Sequence, residues 1–132
     1  MTQRSDCPIS TLLDFVGDKW SLLIVRDLMF FGKSSFSELQ NSDERMATNI
    51  LSSRLEKLEQ DDLIQKQTDP NDRRKKIYKL TEQGKSLLPI LLEMIIWSSK
   101  HAQETNLPTQ LLERASTDRD GLIADLLARL ED

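Results

Sequence analysis

One stretch limits what this chain can fold into more than any other: residues 46–63, MATNILSSRLEKLEQDDL. At about 100° per residue, Ile50, Leu51, Leu55 and Leu58 fall within a narrow arc, with Ala47 beside them. The opposite side carries Asn49, Ser52, Ser53, Glu56 and Gln60. The pattern predicts one amphipathic helix. Its outer face is divided: the first half is small, polar and uncharged, and the second half carries Glu56, Glu59, Asp61 and Asp62. Such a helix can bring its first two turns, with the positive end of its dipole, up to a polyanion while its tail points away.

The flanking sequence decides between that reading and an ordinary surface helix. Before it, residues 34–39 (SSFSEL) hold a capping box, Ser35 with Glu38, and an inward pair, Phe36 and Leu39. Residues 40–44 are polar and read as a turn. Short helix, polar turn and longer helix is a helix-turn-helix layout. After it, the period shortens. Residues 64–68 alternate weakly, Asp69-Pro70-Asn71-Asp72 is a turn, and residues 77–80 read as a return strand. Arg73, Arg74, Lys75 and Lys76 lie at or near the tip of that hairpin. One or two lysines would protect a strand edge from pairing. Four consecutive bases are better explained by contacts to phosphates or a minor groove.

Charge is partitioned in the same way. The 132-residue chain has net charge −4, which argues against indiscriminate nucleic-acid binding. Yet residues 45–85 carry +3, against −3 for residues 1–44, zero for 86–103 and −4 for 104–132. The basic segment begins at the organising helix, and a local patch is the footprint that matters.

Toward the N-terminus, Cys7-Pro8 precedes an apolar pattern at Ile9, Leu12, Leu13 and Val16. Pro at the first helical position makes Cys7 the N-cap. A thiol there sits in positive potential, which raises its reactivity; a half-buried small residue is the plainer alternative. From Lys19 the run WSLLIVRDLMFF is apolar on most sides, interrupted by Arg26 and Asp27, and predicts a core helix closed by Gly32. Trp20, Phe30 and Phe31 read as packing residues, and no cofactor pattern is visible.

Thr81 caps a further helix, with Glu82 in its first turn. Apolar residues between Leu87 and Trp97 cover nearly every side of it, so one face is expected on the domain and another on a second copy. Pro89 lies inside this helix and is expected to kink it or leave a local hydrogen bond unmade. The tail breaks at Asn106-Leu107-Pro108, gives a helical turn or two over 109–115, and ends in an amphipathic helix carrying Leu122, Ile123, Leu126, Leu127 and Leu130. The sequence leaves open whether this tail packs on its own chain or on a partner.

Several classes are excluded. The length suits one compact domain. No apolar run approaches about eighteen residues and no signal peptide is visible, so a cytoplasmic protein is expected. One Cys allows no intramolecular disulfide, and Cys7 with His101 alone makes no Cys/His zinc cluster. Cys7 has no clear base nearby in sequence, so no enzyme, metal or cofactor is expected.

The chain resembles the bacterial HxlR-type winged helix-turn-helix transcriptional regulators, related to the MarR group. The resemblance rests on Cys7-Pro8, Asp18-Lys19-Trp20 with Leu22-Leu23-Ile24, Phe36-Ser37-Glu38-Leu39, the run from Ile50 to Glu59, Tyr78-Lys79-Leu80-Thr81-Glu82-Gln83-Gly84 and Leu87-Leu88-Pro89. It departs from the family at Asp18, where the family often has Gly, at Ala47, where it often has Ser, near Asp62, where the helix usually ends with Gly, and in a wing closer to the MarR version. The resemblance implies a mostly α fold with a small β-hairpin wing. Residues 1–104 would form the winged helix-turn-helix domain with its dimerisation helices, and 105–132 a helical C-terminal extension. It implies a homodimer on palindromic double-stranded DNA, with recognition helices roughly 34 Å apart. Some members sense oxidants or electrophiles through the Cys matching Cys7, so a small-molecule effector is a further expectation.

The expected base readers are Thr48, Asn49, Ser52 and Ser53. Arg73, Arg74, Lys75 and Lys76 are expected on phosphates or the minor groove, and Ser34, Ser35, Arg54 and Lys57 on the backbone, although Arg54 could instead serve an internal ion pair. Leu12, Leu88, Leu91, Leu92, Ile95 and Ile96 are expected at the dimer interface. The rival reading is a winged-helix protein-interaction module without DNA binding, which the net charge and acidic tail favour and the basic wing disfavours.

Overall fold

The computed structural model describes residues 4–102 and 107–131. The chain divides into two compact units, Met1–Gly84 and Lys85–Asp132.

The first unit begins with α1 (Pro8–Val16), with Cys7 as N-cap and Pro8 in the first turn. Helix α2 (Ser21–Phe30) is the core helix, with Ile24 and Val25 almost fully enclosed. Gly32 follows it at φ 67°, a left-handed conformation that glycine adopts without steric penalty. Phe31, expected to pack in the core or at an interface, is 49% exposed, and the Arg26 guanidinium lies over its ring. Helix α3 (Phe36–Gln40) starts with the full capping box: the Ser35 hydroxyl accepts from the Glu38 amide, and the Glu38 carboxylate accepts from the Ser35 amide.

The organising helix is α4 (Thr48–Gln60), shorter than the sequence pattern at both ends. Leu51, Leu55 and Leu58 are buried and Ile50 is half-buried, so the inward stripe is the expected one. A Schellman closure stops the helix. The Leu63 amide reaches back to the Leu58 carbonyl at 2.9 Å and the Asp62 amide to the Glu59 carbonyl at 3.1 Å, while Asp62 takes φ 61°.

The hairpin that follows pairs β1 (Ile64–Asp69) with β2 (Asp72–Leu80), antiparallel. Strand β2 starts earlier than the expected residues 77–80. The register runs from Ile64 opposite Leu80 to Thr68 opposite Lys76, then jumps to Asp69 opposite Asp72. Residues 73–75 therefore bulge outside the ladder. The chain before α3 docks on the same hairpin: the Tyr78 amide donates to the Ser34 carbonyl at 2.7 Å, and Ser35 bridges Ile77. Gly84 closes the unit, in the four-residue turn of helix α5 (Glu82–Lys85). A Cβ there would lie 2.1 Å from the Leu63 carbonyl oxygen, so only glycine fits.

The second unit holds α6 (Leu88–His101), α7 (Thr109–Thr117) and α8 (Arg119–Arg129). Pro89 does not kink a continuous helix. The chain breaks after α5, and Pro89 sits in the first turn of α6, where its missing N–H costs nothing. The tail packs on its own chain: Arg119 of α8 pairs with Glu93 and donates to the Pro89 carbonyl, both on α6. Arg114 of α7 reaches Asp125 of α8 at 2.8 Å. Leu88, Leu91 and Leu92, expected against a second copy, are buried within the chain; the large apolar side chains left exposed on α6 are Met94 and Trp97.

Candidate nucleic-acid interface

The N-terminus of α4 is open. Its N-cap, Ala47, has no side chain to accept from the first amides. Thr48, Asn49, Ser52 and Ser53 are all exposed around this end. The Thr48 hydroxyl accepts from the Gln40 side chain of α3, which fixes the two helices of the motif side by side. The Ser53 hydroxyl accepts from Arg54 at 3.2 Å.

The turn between α3 and α4 contains no glycine, and a buried ionic network holds it. Asp27 of α2 is 2% exposed and accepts from the Ser42 hydroxyl and from Arg26. Arg26 also binds Glu44 through two parallel hydrogen bonds of 2.7 and 2.8 Å. The Arg26 guanidinium beside Glu44 holds that carboxyl below its ordinary range, and Glu44 in turn holds the guanidinium protonated. Sequence reasoning missed this network. Its visible signal was the Arg26-Asp27 pair interrupting an apolar helix.

Three residues expected on the DNA backbone are committed elsewhere. Ser35 is 3% exposed and spends its hydroxyl on the α3 cap, so it has no free surface for a phosphate. Arg54 reaches across to Asp18, just before α2, at 2.9 Å, which realises the internal ion pair. Burial works against ionisation of Asp18, but hydrogen bonds from Ser21, Arg54 and the backbone outweigh it and leave its carboxyl below the usual range. Lys57 donates to the carbonyls of Asp14 and Phe15 at 3.0 and 2.9 Å, closing the end of α1, and to Asp61 at 2.7 Å. Ser34 is half-buried, and its hydroxyl leans toward Glu38 at 3.5 Å.

The wing cations are different. Arg73, Arg74, Lys75 and Lys76 are exposed along the bulge and the strand beside it. Arg74 is in long contact with Asp72 at 3.4 Å while its side chain stays 93% exposed, and Lys76 donates to Thr68. Between the wing and the start of α3 lies a groove of about 690 Å³, bordered by Ser37, Lys66, Lys75 and Lys76. Ser37 and Lys66 were not singled out from sequence; each is an isolated polar residue until the hairpin folds against α3. Cys7 is exposed, and its sulfur has no hydrogen-bond partner among the described residues. Leu12 is half-buried, as are Ile95 and Ile96, while Ile9 and Leu13 of α1 are exposed. No helix among the described residues is long and apolar enough to cross a membrane.

Residues 15–106 match the HxlR-like helix-turn-helix family. The HTH-type transcriptional regulator YdeP of Bacillus subtilis is 33% identical over 95 residues, 72% of this chain and 73% of its own. YodB of the same organism, an HTH-type transcriptional regulator, is 31% identical over 74% of this chain and 87% of its own. The reduced form of YodB superposes with a TM-score of 0.61 at 29% identity, over 77% of this chain and all of YodB; YodB has also been solved with quinone bound. The crystal structure of PA1607 superposes with a TM-score of 0.71 at 32% identity, over 80% of this chain and 72% of PA1607. The fold is the winged helix-turn-helix, and the chain belongs to the HxlR-like family of DNA-binding transcriptional regulators.

Proposed function

We propose that, as a member of this family, the protein is a cytoplasmic homodimer that binds a palindromic operator in duplex DNA sequence-specifically. The observation that carries this reading is the contrast at one surface. An uncapped, neutral helix N-terminus exposes Thr48, Asn49, Ser52 and Ser53, and the neighbouring wing exposes Arg73, Arg74, Lys75 and Lys76. Asn49 supplies the paired donor and acceptor that read adenine; the hydroxyls are less selective. The wing cations, with Ser37 and Lys66 along the groove, fit phosphates. Residues 1–104 carry this function in our reading, and 105–132 are a helical extension.

Exposed Ile9 and Leu13 on α1, and Met94 and Trp97 on α6, support burial against a second copy, with Leu12, Ile95 and Ile96 beside them. Exposed Cys7 at the head of α1, with the quinone-bound state of YodB, supports an electrophile or oxidant as effector.

The test is selection from randomised duplex DNA, repeated with a quinone. Enrichment of a palindrome, released by quinone from the native chain but not from Cys7→Ser, is the expected result. Absence of any enriched site at moderate salt would overturn DNA binding in favour of a protein-interaction role. Release that persists in Cys7→Ser would remove Cys7 as the sensor.

A further inference from the structure

We infer that Glu56 is a specificity-determining residue: a base reader that selects cytosine in the major groove. The inference rests on the DNA-binding reading above. Glu56 follows Asn49 by seven residues, close to two full helical turns, so both lie on the outer face of α4; the charge pattern assigned Glu56 to the tail turned from a polyanion, but the folded hairpin brings Lys66 to the groove that Glu56 borders. Glu56 is exposed and stands beside the open groove between α4 and the wing, which Ser52, Glu59, Lys66 and Tyr78 also border; Glu59 lies nearly one turn further from the α4 N-terminus than Glu56. Among the described residues its carboxylate has no hydrogen bond or ion pair. Asp61 at the end of the same helix, by contrast, is held by Lys57.

A free carboxylate on a face turned toward phosphates is repelled unless it gains something on arrival. An ionised carboxylate only accepts hydrogen bonds. In the major groove, guanine presents two acceptors and thymine one, and both repel it. Adenine sets an acceptor beside its amino group. The cytosine amino donor is flanked by an acceptor on one side only, O6 of its paired guanine, whereas the adenine amino group lies between N7 and the thymine O4, so the carboxylate converts general repulsion into preference for one base. With α4 lying along the major groove, seven residues of helix span about 10 Å, which reaches up to about three base-pair steps. The selected cytosine therefore lies within about three base pairs of the adenine that Asn49 reads.

The experiment is parallel selection from randomised duplex DNA with the full-length chain, Glu56→Gln, Glu56→Ala and Asn49→Ala. The native chain is expected to enrich a C·G pair within about three base pairs of the A·T pair whose preference Asn49→Ala removes. Glu56→Ala is expected to keep the rest of the site while losing that C·G preference, a drop of about tenfold or more in discrimination. In Glu56→Gln the amide presents a donor and an acceptor, and the preference is expected to move from cytosine to adenine. An unchanged base preference in both Glu56 variants, with uniformly tighter binding to all sequences, would show a merely repulsive charge and overturn the inference while leaving DNA binding intact. No enriched site for the native chain would overturn both.

Discussion

Two groups of cations flank the same helix, and they do opposite work. Arg54 and Lys57 sit on α4 itself and are anchored, Arg54 to Asp18 and Lys57 to the end of α1 and to Asp61. Arg73, Arg74 and Lys75 stand exposed on the wing bulge, outside the strand ladder, with a long Asp72 contact to Arg74 and only the through-space pull of Glu38 on Lys75. The residue types are the same. What differs is whether the fold places a carboxylate or an unpaired helix carbonyl within reach. A cation already satisfied gains little from a phosphate, whereas a solvated one releases counterions on meeting it.

The largest effect expected from this contrast is on binding. Arg73→Ala with Arg74→Ala removes two arginines per chain, four from the proposed dimer. The salt slope of binding should flatten by about 3–4, and affinity near 0.15 M salt should fall by about two to three orders of magnitude. The loss should be equal on operator and scrambled duplexes, and folding stability should stay within about 0.5 kcal/mol. Salt titration by fluorescence anisotropy measures it; an unchanged slope would place the wing away from DNA.

Lys57→Met is the counter-experiment. It leaves two carbonyls of α1 and the Asp61 carboxylate without their donor. Because the Lys57 side chain is 38% exposed, solvent reduces the cost to about 1–2 kcal/mol of folding stability, read by urea unfolding. The salt slope should not move. A flattened slope with native stability would erase the distinction between the two groups.

A smaller effect separates them by pH. Asp18 and Glu38 have folded pKa values below their ordinary ones. For Glu38 the Ser35 amide is the main cause, followed by the Ser35 hydroxyl; for Asp18, hydrogen bonds from Ser21 and Arg54 overcome burial. A carboxyl lowered in the folded state contributes stability that is fully present above its unfolded value near 4. That stability is lost as pH falls through the folded value. Asp18→Asn and Glu38→Gln should each flatten the acid limb of stability between roughly pH 5 and 2 and leave the neutral region of the profile flat. An unaltered acid limb in Asp18→Asn would mean that Arg54 is not anchored through that carboxylate.

Local signals made most of this fold legible. The leucine stripe of α4, the Ser35–Glu38 box, the Cys7-Pro8 start and the turn at Asp69–Asp72 are each written within a few residues. What sequence could not supply was pairing across the fold. Arg54 is open between the DNA backbone and an internal ion pair until the chain before α2 brings Asp18 alongside, and Ser35, although its capping box is legible, is shown to have no free surface only by its burial. The Asp27–Ser42 and Arg26–Glu44 contacts join residues 15 and 18 apart. Pro89 read as a kink because the apolar run gave no sign of the break after α5. Leu88 and Leu92 read as interface because a helix apolar on all sides does not reveal which side its own tail will cover.

The smallest effect lies at the joint between the anchored helix and the free wing. Asp62 closes α4 and hands the chain to Leu63 and β1, and it does so at φ 61°, where a Cβ crowds the backbone. Its carbonyl accepts from the Thr81 hydroxyl at 2.6 Å, which ties the joint to the far end of the hairpin. Glycine keeps that carbonyl and both Schellman bonds while removing the strain. Its greater freedom in the unfolded chain offsets part of the gain. Asp62→Gly should therefore raise folding stability by about 0.5–1 kcal/mol and leave the salt slope of DNA binding near that of the native chain. A loss of stability would mean that the Asp62 side chain contributes more than its conformation costs. A steepened slope would mean that removing this acid brings the wing's charges closer to the phosphates, so that helix and wing are not electrostatically separate.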